Sequence, residues 1–378
     1  MKAFLSFVLF FLGFVSCNTS LTNQRIVLDI GEDIVFAIDD STSNYSFAAQ
    51  YFVDSLGNPY VFSINSNLNH LDKFDFKNKS LVQKLVLSPD NTKGIISNPT
   101  KGFKVISEDH FMIFSMNAQT IYEMDSLYNF TPFYKGDDLS RSYLNVNGTQ
   151  HIQLAENGFV FPKYSSHTTY KMNVSTSVEV VDFNGESLYS IKYPSKYNQG
   201  IWGIFNSYRS YPLLLLDGSL LVSYGITDSI FRYSIDMDNK FGRPYLAKSD
   251  LLEFNKSVTR PSRRSIPELQ SYEMQNGWYG QVLQDPINEN IVRFVHYPIE
   301  KQAIRNGDFS SQKVGVILLD KNFNVLGEGD FPDKLGFFSY FITPQGIYFY
   351  NKEKSMSNER EMVFSKLLLD SISVSVPK

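Results

Sequence analysis

The chain has a single cysteine, Cys17, in 378 residues. One thiol excludes an intramolecular disulfide framework and any cysteine-based zinc ribbon. Histidine is nearly as scarce: His70, His110, His151, His167 and His296 are scattered without ligand-like spacing, so no metal site is expected. No excess of positive charge exists either. Thirty-five Lys and Arg face 39 Asp and Glu, a formal net charge of −4. Nothing is left over to neutralise a phosphate backbone, which excludes nucleic acid as a partner. The chain has no G-x-x-x-x-G-K-[ST] or G-x-G-x-x-G loop, no G-x-S-x-G elbow and no H-E-x-x-H helix. No cofactor is therefore expected. After Cys17 no segment approaches the roughly 18 consecutive apolar residues of a membrane-spanning helix.

What is plentiful is material for a core. Apolar residues make up 43% and aromatics 15%, with 32 Phe and 23 Tyr but only two Trp. That composition rules out a disordered chain. At the N-terminus, Lys2 precedes an almost purely apolar stretch from Ala3 to Val15. Ser16, Cys17 and the polar run Asn18-Thr19-Ser20 follow. The apolar stretch is too short to span a bilayer but fits the central region of a signal peptide. A small residue before a cysteine at the end of such a stretch resembles the lipobox of bacterial lipoproteins, with Phe14 standing where Leu is usual. The resemblance implies cleavage before Cys17, lipidation of its thiol, acylation of its new amine, and stable anchoring by several acyl chains. The expected organisation is a lipoprotein signal peptide over 1–16, a tether over 17–23 and one folded unit over 24–378. An ordinary signal peptide with a chance cysteine is the alternative.

Helical signals are scarce in the remainder. One element recurs instead: an apolar run, a tight polar turn, then a second apolar run. It surrounds Gly57, Asp109, Gly158, Gly218, Pro286 and Gly346. The average interval is about 58 residues. After most of these hairpins a further Asn/Asp/Gly turn leads into another apolar strand, as Asn65–Asn69 leads to Leu71 and Thr227–Ser229 to Ile230. Three or four antiparallel strands per unit, repeated six times, predict an all-β six-bladed β-propeller, because a lone four-stranded blade cannot bury both of its faces. Arg25–Ile30 is placed as a strand of the final blade. Two tandem β-sandwiches are the rival. Regular spacing and the lack of a Pro/Gly/Ser-rich linker near the middle argue against them.

A lipobox-like Cys17 followed by six irregular blades resembles the uncharacterised TolB-like propeller lipoproteins of Bacteroidota. The similarity covers essentially the whole chain and rests on no catalytic motif. Glycoproteins of that phylum carry O-glycans on Asp-Ser/Thr before a small or aliphatic residue. This sequence has five such tripeptides, which makes Ser41, Ser55, Ser126, Ser229 and Ser371 candidate sites. The plain reading is that Asp-Ser marks hairpin turns. Seven Asn-x-Ser/Thr sequons also occur, and the bacterial resemblance gives them no role. Surface-exposed members often carry acidic residues after the cysteine. Asn18-Thr19-Ser20 lacks them, so the resemblance implies a periplasm-facing outer-membrane anchor in the cell envelope.

Two segments concentrate recognition chemistry. Residues 198–211 contain Trp202, Tyr208 and Arg209, and residues 260–280 contain Arg260, Arg263, Arg264 and Trp278. Aromatic faces beside Arg and Asn donors suit stacking on a sugar or gripping an acidic group. These residues form the candidate ligand rim; the competing reading packs both tryptophans between blades. The expected function is a membrane-anchored, non-enzymatic binding or scaffold module for an envelope protein or glycan partner. The alternative is a carbohydrate-active enzyme using carboxylates at the channel mouth, which the sequence alone gives no means of selecting.

Overall fold

A computed structural model describes residues 24–374, apart from 66–69, 88–101, 116–117, 126, 128, 137–141, 145, 166–175, 235–241, 255–256 and 258–265. The fold is all-β and propeller-like, made mostly of antiparallel four-stranded sheets. One meander runs through β2 (Ala48–Val53), β3 (Pro59–Asn65), β4 (His70–Asp75) and β5 (Ser80–Val86). The next contains β6 (Phe103–Ser107), β7 (His110–Ser115), β8 (Thr120–Asp125) and β9 (Phe130–Lys135). A five-stranded sheet follows, with β10 (Ser142–Leu144) and β11 (Gln153–Ala155) both on β12 (Gly158–Ser165), then β13 (Thr176–Val181) and β14 (Ser187–Lys192). β15 (Ser210–Leu214), β16 (Leu220–Tyr224), β17 (Ser229–Tyr233) and β18 (Arg243–Leu246) form the fourth group. β19 (Trp278–Gln284), β20 (Ile291–His296), β21 (Val314–Leu319) and β22 (Val325–Asp330) form the fifth.

The last group joins the two ends of the chain. β23 (Leu335–Thr343), β24 (Gly346–Asn351) and β25 (Glu361–Val374) continue into β1 (Ile26–Ala37), which pairs antiparallel with β25 from Ile26↔Val374 to Ala37↔Glu361. The strand expected over Arg25–Ile30 therefore forms, and extends further. A single parallel pair, Ala37↔Ser80, merges this group with the first meander into one eight-stranded sheet. Side-chain packing closes the cycle. Ala49, Val61 and Phe74 of the first meander share a cluster with Phe341, Tyr348, Tyr350 and Phe364 of the last.

Burial explains the sequence pattern. Second strands such as β16 (LLVSY), β20 (IVRFVH) and β24 (GIYFYN) are buried at every position, because a neighbouring sheet covers each face. They read as continuous apolar runs. Fourth strands such as β9, β14 and β18 lie largely open, so polar and charged residues recur there. The hairpins carry a repeated cap. Asp54, Asp125 and Asp320 each accept two main-chain N–H bonds and the side-chain amide of the Asn four residues on. Their carboxylates do the work of a turn backbone. The long connections at 193–209, 247–277 and 297–313 leave from the opposite ends of their sheets and carry the short helices. Among the described residues only α1 (Ile266–Asn276) reaches 11 residues. It lies in a stretch the sequence reads as loop, because just Leu269 and Glu273 are buried and its apolar stripe is weak.

Candidate functional site

The connection after β14 folds around hydroxyl and carboxylate groups. The Trp202 N–H donates to the Tyr208 hydroxyl (3.1 Å), and the Ser207 hydroxyl donates to the Trp202 carbonyl (2.8 Å). Tyr197 and Tyr193 donate to the carbonyls of Ser207 and Tyr208. Glu273 of α1 completes the clasp. Its Oε2 accepts the N–H groups of Ile204, Phe205 and Ser207, each at 3.0 Å, and its Oε1 accepts the Asn206 amide at 2.9 Å. Glu273 is 1% exposed. A buried carboxylate is tolerable there because four donors surround it.

Beside this clasp opens a groove of about 870 Å³ between β14 and β17. Lys192, Ser195, Lys196 and Asn198 line one side, and Thr227, Asp228, Ser229 and Phe231 the other. Lys196 Nζ sits 5.4 Å from the Trp202 ring centre and 5.1 Å from that of Phe254. Burial lowers its pKa, against the opposing pull of Asp228. Asp228 Oδ1 accepts the Tyr279 hydroxyl at 2.9 Å. Hydroxyls, an amide, a cation and a carboxylate thus converge on a concavity with aromatic walls, the composition of a small-ligand site.

Further basic side chains lie outside the groove, just before β11 and β15 and at the end of β20. Arg209, just before β15, is half-buried, and its Nε has no hydrogen-bond partner in the protein. His296, on β20, stacks on Trp278 at 4.7 Å and meets Phe337 edge-on at 4.9 Å. Burial first, and the Arg209 charge second, push His296 down to about 3. Gly280 makes room for that ring, since a Cβ there would lie 3.2 Å from His296 Nε2. His151 meets Tyr340 edge-on at 5.1 Å, and its Nε2 is buried without a partner. Burial and the nearby Lys104 hold it at about 4. Among the described residues no group of three or more His, Cys, Asp or Glu could hold a metal.

The model of a domain of unknown function, DUF4221, matches residues 25–330. The chain belongs to the DUF4221 family. A DUF4221 member from Bacteroides vulgatus shares the fold at a TM-score of 0.70 and 16% identity, covering 94% of this chain and 100% of that one. A putative exported protein from Bacteroides fragilis follows at 0.52 and 8% identity, covering 90% and 96%. No curated protein matches the sequence.

In this DUF4221 chain the sequence-predicted rim divides. Trp202 and Trp278 are each 4% exposed and Tyr208 2%, so their rings are core; burial pushes the Tyr208 hydroxyl up to about 12. Trp202 still borders the groove through Lys196, and Trp278 backs His296. Arg209 is half-buried just before β15, whereas Arg260, Arg263, Arg264 and Cys17 lie outside the described residues. Ser41 and Ser55 are exposed in turns, and Ser229 lines the groove at the start of β17. Ser126 lies outside the described residues, and Ser371 falls within β25. Sequence reasoning missed Lys196, Asp228, Glu273 and Lys104. The one available signal was Asp228-Ser229, which the sequence offered only as a glycosylation or turn motif.

Proposed function

We propose that this chain is a lipid-anchored, non-enzymatic binding module of the bacterial cell envelope, a six-bladed propeller whose groove takes part of a glycan. The observation that carries the reading is the groove itself. A concavity of about 870 Å³ holding Lys196, Asp228, Asn198 and several hydroxyls beside aromatic walls suits a few sugar units better than a flat protein surface. Support for six blades comes from the cycle of packed meanders, with the terminal strands β1 and β25 paired in the last. Support for the anchor comes from the lipobox-like residues up to Cys17, and the periplasm-facing placement follows from the polar run after it.

Glycan-array screening of the purified mature protein, followed by calorimetry on the best hit, tests the binding role. Lys196→Met and Asp228→Asn keep the packing and should each weaken binding about tenfold or more, ~1.4 kcal/mol, with an unchanged melting temperature. A protein that binds no glycan but crosslinks stoichiometrically to an envelope protein would overturn the glycan reading in favour of a scaffold. Single-carboxylate loss of turnover on a glycan would favour the hydrolase. Cys17→Ser should release the protein from the membrane fraction, and protease shaving of intact cells should leave the wild-type protein uncut.

A further inference from the structure

We infer that the ligand of the groove is acidic, a glycan bearing a uronate-type carboxylate that the Lys196 ammonium receives. The inference rests on the glycan reading and narrows it to one class of sugar. Lys196 follows β14 in the short helix Ser195–Gln199. Tyr197 of that helix is buried and donates to the Ser207 carbonyl at 2.6 Å. The Trp202 indole N–H donates to the carbonyl of Lys196 itself at 3.2 Å. Both bonds hold the main chain from which the Lys196 side chain leaves. Its Nζ stands over two rings, 5.4 Å from the centre of Trp202 and 5.1 Å from that of Phe254. Those rings are buried, so the ammonium has a rigid support.

That ammonium has no anion of its own. Among the described residues it forms no ion pair and donates no hydrogen bond, and the same holds for Lys192 on the same side of the groove. Ring faces attract a cation but offer no lone pairs in its plane of donors, so the three N–H groups of half-buried Lys196 remain available. The carboxylates nearby are already engaged. Asp228, the one acidic residue of the lining, accepts the Tyr279 hydroxyl at 2.9 Å. Glu179 accepts the hydroxyl of the lining Ser190, and Lys163 offsets its charge at 3.3 Å. The lining thus sets Lys192 and Lys196 against Asp228, two positive charges against one negative. A ligand carboxylate supplies the missing charge and the missing acceptors together, whereas a neutral glycan leaves a partly desolvated cation unanswered. Beside Lys196, Ser195, Asn198 and Ser229 offer partners for sugar hydroxyls, and half-buried Phe231 offers ring surface.

Calorimetry on the purified mature protein with matched pairs of oligosaccharides tests this. The probes are a trigalacturonate, an alginate trisaccharide and a hyaluronan tetrasaccharide, each beside its carboxyl-reduced neutral form, with a neutral panel and a sulfated one. The expected result is an acidic member that binds about tenfold or more tighter than its reduced partner at low salt, with the gap narrowing at high salt. Lys196→Met should bring the two forms to within about threefold of each other, and Lys196→Arg, which keeps the charge, should retain most of the preference. Asp228→Asn should widen the preference even as both affinities fall, because it removes the opposing charge. The exposed Arg305→Gln should change nothing. Equal binding of acidic and reduced forms would leave the glycan reading in place and overturn this inference. Binding of no oligosaccharide, charged or neutral, would overturn both. A sulfated glycan that binds where no uronate does, or a preference that survives Lys196→Met, would also overturn it. If Lys196→Met does not fold, Lys196→Gln replaces it, and equal binding in the wild-type pairs still refutes the acidic ligand.

Discussion

The clasp around Glu273 sets a sharp test of what holds the long connection in place. Oε2 accepts three main-chain N–H groups and Oε1 the Asn206 amide. Hydrogen bonds to a charged acceptor contribute about 1.5–3 kcal/mol each, against about 1 for neutral pairs. Glu273→Gln keeps the shape and one acceptor oxygen for the three N–H groups. It loses the charge and turns an NH₂ toward the Asn206 amide, so a cost of about 2 kcal/mol follows. Glu273→Ala removes every acceptor. Ile204 and Ser207 are buried, so their N–H groups are stranded, while Phe205 is exposed and finds water. Two stranded donors plus the lost packing give about 4 kcal/mol. Urea unfolding followed by tyrosine and tryptophan fluorescence measures both, with unchanged slope and a lower midpoint for each variant. The double variant with Asn206→Ala should show coupling of at least about 0.5 kcal/mol. An alanine variant within about 1 kcal/mol of wild type would refute the clasp.

Three further outcomes follow from buried groups. Burial pushes Asp72 up to about 6, with Lys84 opposing and Asp39 reinforcing. The unfolded chain then binds fewer protons than the folded one between about pH 4 and 6, so Asp72 lowers stability as pH rises through that window. The loss is on the order of 3 kcal/mol. His151 acts in the opposite sense over much of this range, so the effect is read as the difference between wild type and Asp72→Asn, which should be the more stable at pH 7. Arg293, 0% exposed, donates to Ser223 Oγ and the carbonyls of Thr227 and Ala247, and lies 3.7 Å over the Tyr279 ring. Arg293→Lys loses the fork and should cost about 2–4 kcal/mol in denaturant unfolding. Gly148 packs where a Cβ would fall 2.1 Å from the Phe47 carbonyl oxygen and 2.2 Å from that of Phe338. Gly148→Ala should therefore lower the melting temperature by several degrees or more.

The repeat was legible because propeller strands differ in burial in a way that one sequence displays. β16, β20 and β24 are covered on both faces and read as apolar runs, and the Asp and Gly turns between runs mark the hairpins. The third strands were harder. β13 and β21 follow long connections, so no tight turn announces them. The helix α1 was hidden for a different reason: it is fixed by the Glu273 carboxylate rather than by an apolar stripe, and a lone Glu in a polar segment carries no periodic signal. Trp202 and Trp278 drew notice as rare aromatics, and their burial places the polar chemistry on neighbours that composition does not distinguish, Lys196 and His296. Arg209 was singled out beside its aromatic neighbours.

The distribution of charge also bears on the choice between binding and hydrolysis. Glycoside cleavage by paired carboxyl groups needs one that donates a proton and another poised about 5–9.5 Å away. Around the groove, Asp228 lines the wall, Glu273 braces the neighbouring loop, and Glu179 accepts the hydroxyl of the lining Ser190. Glu273 spends its oxygens on the 204–207 loop, and Asp228 accepts the Tyr279 hydroxyl. Both therefore act as fixed acceptors that shape a surface, Glu273 behind the groove wall and Asp228 within it.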